Sequence, residues 1–216
     1  MTRTSLALLL FLAATSVSAL EWPEAPAPTR LRFVESYIGM PGTSPGYGLG
    51  KVMRFLLGIG GGMSASRRLI SPTGIFVRGG VVYVADPGAR GVLRYDEAKR
   101  KADWLPKGRQ TRLVSPVEVV VAPDGKIFVA DSALGKVLIL DEEGRPSGEL
   151  RGDPEGLGRP AALALGEGRV FVSDARGHRV AVYGLDGVFL YSFGRRGTGP
   201  GEFNFPTYNW FAASAK

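Results

Sequence analysis

The 216-residue chain has no cysteine and a single histidine, His178. The first absence rules out disulfides, thiol chemistry and cysteine-held zinc or iron–sulfur centres. Without staples, the fold must be held by burial of apolar surface. The second absence leaves one imidazole, too few for the histidine sets that usually hold catalytic zinc. Long apolar runs are scarce as well. The unbroken run from Leu6 to Ala14 is far shorter than the roughly 20 residues that cross a bilayer. Uninterrupted helical periodicity is missing too, because 31 glycines and 15 prolines are scattered among short apolar runs. Many short strands joined by tight turns fit that pattern, and the fold class expected is all-β.

The positive charge is spread rather than striped. Lys and Arg number 27 against 20 Asp and Glu, a net +7 that becomes +6 if Arg3 is removed. The basic positions fall at Arg67-Arg68, Lys99 to Lys101, Lys107 to Arg112 and Arg195-Arg196. None interleaves with aromatics as a groove for single-stranded nucleic acid does, so no nucleic-acid partner is expected. A solvated basic surface remains, with weak attraction for anionic polymers or headgroups.

Arg3, the apolar run and the small residues Val17-Ser18-Ala19 form the layout of a secretory signal peptide over residues 1–19, cut after Ala19. The expectation is export to the periplasm or the extracellular space, with no transmembrane segment left after cleavage. Residues 20–29 read as a Pro-rich linker. Residues 30–70 read as a leading strand, "RLRFVESY", followed by a loop in which "GKVMRFLLG" makes two helical turns covering one mouth of the fold.

From residue 71 the chain repeats. "SPTGIFVRGGVVYVADPGARGVLRYD" (71–96), "SPVEVVVAPDGKIFVADSALGKVLILD" (115–141) and "RPAALALGEGRVFVSDARGHRVAVYG" (159–184) align in register. Pro72, Pro116 and Pro160 are 44 residues apart, and Asp86, Asp131 and Asp174 follow at steps of 45 and 43. Each unit reads as strand, hairpin, strand, hairpin, strand. In the second unit "EVVVA", "KIFVA" and "KVLIL" are the strands, and Gly125 supplies the positive φ of the "PDG" turn. A fourth strand is expected after "DEEGRP", in "VFLYSFG" of the third unit, and within "AKRKADWL" of the first. Four short antiparallel strands every 40–50 residues are the size of one propeller blade. The architecture expected is a partial propeller with blades at 71–114, 115–158 and 159–204 and the start of another at 205–216.

These units resemble NHL repeats. Pro72-Thr73-Gly74-Ile75 opens a unit as the family does, and Tyr83-Val84-Ala85-Asp86, Phe128-Val129-Ala130-Asp131 and Phe171-Val172-Ser173-Asp174 carry its strand-end motif. Gly177-His178-Arg179-Val180 resembles the family's turn into the third strand, with glycine replacing an asparagine. "FGRRGTGPGEFNFP" (193–206) resembles its link between blades. The resemblance covers about residues 71–207 and implies a six-bladed type of propeller in an exported, bacterial-type member. After Pro206-Thr207 the pattern stops at Tyr208-Asn209-Trp210. The expectation is therefore a truncated or frame-shifted member or a fragment, the alternative being an arc that closes by dimerising. An open edge at Phe193, Phe203, Phe205 and Trp210 would permit self-association.

Asp86, Asp131 and Asp174 are expected to be structural, each accepting backbone N–H bonds from the turn after it. Five residues on stand Gly91, Lys136 and Arg179, so the second and third units are expected to pair a surface cation with the turn carboxylate. His178 is expected to be a turn residue. Glu118 stands where the other units have Gly74 and Ala162, a charge early on the strand expected innermost. Glu118, His178 and Arg179 are the candidate binding positions; no catalytic residue, metal site or cofactor is expected. The function expected is a non-catalytic exported binding or scaffold module, taking a protein or small ligand at the propeller mouth. Some related six-bladed propellers are metal-dependent lactonases or amidating lyases. The alternatives are accordingly a metal-dependent hydrolase or lyase whose site needs further blades, or a degenerate truncated product.

Overall fold

The structure, a computed structural model, describes residues 21–22, 31–32, 69–108 and 111–208. The chain divides into two compact units, Met1–Ile38 and Gly39–Lys216. In the first, β1 (Glu21–Trp22) pairs antiparallel with β2 (Leu31–Arg32). The expected signal peptide, most of the leading strand and the short helix at "GKVMRFLLG" lie outside the described residues. Among the described residues no helix is long and apolar enough to cross a membrane.

The second unit contains three four-stranded antiparallel sheets, each built from consecutive strands. The first blade comprises β3 (Gly74–Arg78), β4 (Val81–Asp86), β5 (Gly91–Asp96) and β6 (Lys101–Leu105). The second comprises β7 (Pro116–Val121), β8 (Ile127–Asp131), β9 (Lys136–Leu140) and β10 (Pro146–Glu149). The third comprises β11 (Pro160–Gly166), β12 (Arg169–Asp174), β13 (Arg179–Gly184) and β14 (Phe189–Phe193). β7 begins two residues before the "EVVVA" run, because Pro116 already pairs with Asp131 across a bulge. Proline is tolerated at that strand start, where it need not donate to the ladder.

The hairpins follow from local chemistry. Gly79-Gly80 and Glu167-Gly168 both have positive φ at two successive residues, the backbone of the type I′ turn that suits the right-handed twist of paired strands. The next turn has one left-handed position per blade, held by Arg90 (φ 53°), Gly135 (φ 63°) and His178 (φ 54°). Glycine is the unstrained choice there, so the first and third blades carry a side chain at a modest backbone cost.

Alternation along the strands divides the core between the two blade interfaces. Val119, Val121, Ile127 and Val129 of the second blade pack with Tyr83, Ala85 and Val92 of the first. Val120, Phe128 and Ala130 pack with Leu163, Val172 and Tyr183 of the third. Every residue of β8 is buried, as a strand between two apolar faces must be. A fully buried side chain such as Phe128 contributes roughly 1.5–3 kcal/mol. On the outer faces the pattern reverses: Ile75 and Val77 are exposed in the first blade, and Tyr191 and Phe193 in the third.

Candidate functional site

Asp86, Asp131 and Asp174 end the second strand of each blade and are almost wholly buried. Their carboxylates do not meet at one point. Each turns back within its own blade and accepts hydrogen bonds from two stretches of backbone. Asp131 accepts from Ala133 and Leu134 in the turn that follows, both at 3.1 Å. It also accepts from Val114 at 2.6 Å and Ser115 at 3.0 Å, in the segment that leads into β7. Asp86 does the same with Ala89, Ile70 and Ser71, and Asp174 with Gly177, Gly158 and Arg159. The carboxylate therefore fastens the incoming connection to the blade's inner hairpin. Burial alone would raise the pKa of Asp86, but the N–H donors of Ala89, Ile70, Ser71 and Gly88 outweigh it and hold the group below the ordinary aspartate range.

The cation pairing expected at these turns is corrected at Lys136, while at Arg179 it is present but lies in the interior and not at the surface. Lys136 is the register partner of Asp131, yet its ammonium extends across the sheet to Glu149 on β10, at 2.9 Å. Asp131 is turned inward toward four backbone donors, and the lysine head stays in solvent. Arg179 lies 3.9 Å from Asp174 through Nε, but neither side chain is at the surface. Its guanidinium instead meets Asp153, with Nη2 2.6 Å from Oδ2 and both side chains 4% exposed. Arg179 Nη2 also donates to the carbonyl of Gly156, and the Tyr183 hydroxyl donates to Asp153. Burial, reinforced by the Asp153 charge, raises the Tyr183 pKa well above its ordinary value. Asp153 sits in the connection from the second blade to the third, so this is a buried clamp and not a binding surface.

His178 is a turn residue in the structure. It occupies the left-handed position described above, its Nδ1 accepts the Phe205 N–H at 3.3 Å, and its ring lies 4.4 Å from that of Phe205. The imidazole thus anchors the segment that follows the third blade. Phe203 packs against Phe193, with ring centroids 6.2 Å apart. Phe193 and Phe205 remain half exposed, and Trp210 lies outside the described residues.

Glu118 differs from the other acids. It is half buried on β7, and its carboxylate accepts the N–H of Val119 at 3.1 Å. No ion pair reaches it among the described residues. Burial raises its pKa, and the Val119 hydrogen bond opposes this only in part. The carboxylate occupies the space that Gly74 leaves on the neighbouring β3: a Cβ at Gly74 would stand 2.5 Å from Glu118 Oε1 and 2.7 Å from the Val117 carbonyl oxygen. Thr73 Oγ1 donates to that same carbonyl at 2.8 Å. Gly74 and Glu118 are therefore complementary, which the lone charge in the repeat alignment did not show. Among the described residues no three acidic or histidine side chains cluster to hold a metal ion.

Two expected results follow from this pocket of space. Gly74→Ala destabilises the fold by about 1–3 kcal/mol through overpacking. Adding Glu118→Ala does not restore stability, because the backbone contacts at Val117 O and Glu118 Cα remain. Urea titration of the two variants checks this. Glu118→Gln, for its part, separates from the wild type by pH. A carboxyl whose folded pKa is raised stabilises the protonated fold, so the wild type loses stability as pH rises from the ordinary glutamate value through the folded one. At pH 7 the glutamine variant melts higher, and below about pH 4 the two converge. Partial exposure keeps the difference under ~1 kcal/mol. A glutamine variant that melts lower at pH 7 would mean the charge has a stabilising partner.

No protein-family model matches the chain, and no curated protein matches it. Solved structures do. A streptogramin B lyase aligns with a TM-score of 0.52 at 17% identity, over 65% of this chain and 44% of the other. A catalytically inactive virginiamycin B lyase from Staphylococcus aureus with quinupristin aligns at 0.51 and 16% identity, over 63% and 44%. A structural genomics protein of unknown function from Bacteroides thetaiotaomicron aligns at 0.52 and 14% identity, over 65% and 42%. The aligned part spans less than half the length of each, and identities this low speak to the fold alone. Sheet order, blade-to-blade packing and these likenesses agree that the chain is a β-propeller in part, with three consecutive blades among its described residues.

Proposed function

We propose that the chain is an exported, non-catalytic binding or scaffold module built of NHL-type repeats. The in-register motifs at Asp86, Asp131 and Asp174, together with Gly177-His178-Arg179-Val180, support the NHL reading. The apolar run and small-residue site before Leu20 support export. One observation carries the non-catalytic reading. The recurring carboxylates are occupied by backbone N–H groups, and Glu118 stands alone on the inner strand. General acid–base chemistry or metal chemistry at a propeller axis needs several donors that converge. The lyase likenesses share the fold, and fold by itself does not carry activity.

Metal analysis of the purified chain tests the reading. Well under one equivalent of bound metal is expected after preparation with calcium, manganese or zinc in excess and then desalting, with the same result for Glu118→Gln. One tightly held equivalent that disappears in Glu118→Gln would overturn it in favour of a metal-dependent hydrolase or lyase.

A further inference from the structure

Where the first blade passes the chain to the second, a cavity of about 660 Å³ opens between the β4–β5 turn and the described residues 106–108 and 111–114 that follow β6. This is within the usual range of small-ligand sites, about 300–1,000 Å³. Its described walls are of two kinds. Trp104, Leu105, Leu113 and Val114 give it an apolar body, while two exposed arginines, Arg90 and Arg112, also line it. No carboxylate lines it among the described residues, and neither arginine has an ion pair among them.

The two arginine-bearing stretches are tied at one end by the aspartate staples. Arg90 sits in the turn that Asp86 fastens through the N–H of Ala89. The N–H of Val114 is held by Asp131, which fixes the end of the Arg112–Val114 stretch. The two cations thus stand on backbones ordered without any ligand, and this preorganisation lowers the entropy lost on binding.

We propose that this cavity binds a small organic acid, its carboxylate between Arg90 and Arg112 and its apolar body against Trp104, Leu113 and Val114. A guanidinium recognises a planar carboxylate by paired, charge-assisted hydrogen bonds. The apolar walls select against small inorganic anions, which have nothing to bury there. This deepens the binding-module reading by naming a ligand class, and it rests on that reading.

The test uses the full chain and two fluorescent probes that share one ring system, pyrenebutyrate and the neutral pyrenebutanol, followed by anisotropy. Pyrenebutyrate binds saturably and at least ~10-fold more tightly than the alcohol. The double variant R90Q/R112Q reduces it to the level of the alcohol, while R195Q/R196Q, with the same loss of charge elsewhere, leaves it unchanged. V114D places a carboxylate in the wall and weakens the acid but not the alcohol, so the test survives if R90Q/R112Q fails to fold. Equal binding of both probes in every variant would place the contact on exposed rings such as Tyr191 and Phe193 and overturn the proposal. Equal weakening by the two arginine pairs would reduce it to net charge, and absence of saturable binding would end it. Any of these failures leaves the binding-module reading standing, since that reading is decided by metal content.

Discussion

Asp131→Ala is expected to cost about 2–4 kcal/mol of unfolding free energy, because several part-buried backbone donors lose a charged acceptor together and water replaces it only at the exposed ones. Four backbone N–H groups, from Val114, Ser115, Ala133 and Leu134, lose their acceptor together. For a domain of this size each kcal/mol moves the melting temperature by about 2–4 °C, so the shift is large enough to read by calorimetry. Asp131→Asn discriminates further. Its retained oxygen can serve Ser115 and the turn, but its amide then sets a donor against the Val114 N–H, which lies only 2.6 Å from Oδ2. Asparagine is therefore expected to recover part of the loss and not all of it. Asp124, at the exposed tip of the neighbouring hairpin, pairs with Lys126 in solvent and serves as control; its alanine variant stays within about 0.5 kcal/mol. An alanine at 131 that melts with the wild type would remove the staple from this account. Lowered pH acts on the same device. Asp86, whose folded pKa is depressed, adds stability above the ordinary aspartate value that disappears as pH falls through the folded one.

The staple was legible in sequence because it repeats. Proline spacing, the strand-end aspartates and the turn glycines recur every 43–45 residues, and each reports a local backbone requirement met inside one blade. Its second half was not legible. The N–H groups of Val114 and Ser115 belong to a connection 16 to 17 residues upstream of Asp131, and any residue type can supply a backbone donor there. Glu118 stood out as a departure from the repeat, but its counterpart did not, since Gly74 reads as an ordinary strand-opening residue until the two inner strands are brought together. The cavity beside Arg90 and Arg112 was equally hidden, being assembled from a turn and a connection with no shared motif. Lys136 and Arg179 show the limit most clearly. They occupy one repeat position, five residues after the aspartate, and end in opposite environments, one in solvent against Glu149 and one in the interior against Asp153.

That interior pair gives the other large effect. Arg179→Met leaves Asp153 charged and buried with the Tyr183 hydroxyl as its remaining polar side-chain partner, and is expected to cost about 3–5 kcal/mol. Asp153→Ala is expected to cost less, about 2–4 kcal/mol, since the guanidinium then keeps the Gly156 carbonyl and the Ser192 hydroxyl as acceptors and the Asp174 carboxylate 3.9 Å from its Nε. The pair itself need not be worth that much, because both charges were stripped of water to make it. The double variant Arg179→Met, Asp153→Leu removes both charges and fills the space with carbon. It is expected to be more stable than either single variant, with a coupling of roughly 1–3 kcal/mol in the double-mutant cycle. Arg179→Lys tests the geometry apart from the charge: a lysine head cannot reproduce the two-nitrogen contact with Asp153, so it should recover only part of the arginine's contribution. Single losses that simply add in the double variant would show that Arg179 and Asp153 do not act together, leaving the connection between the second and third blades to the Asp174 carboxylate and the backbone bonds of Arg151 and Arg159.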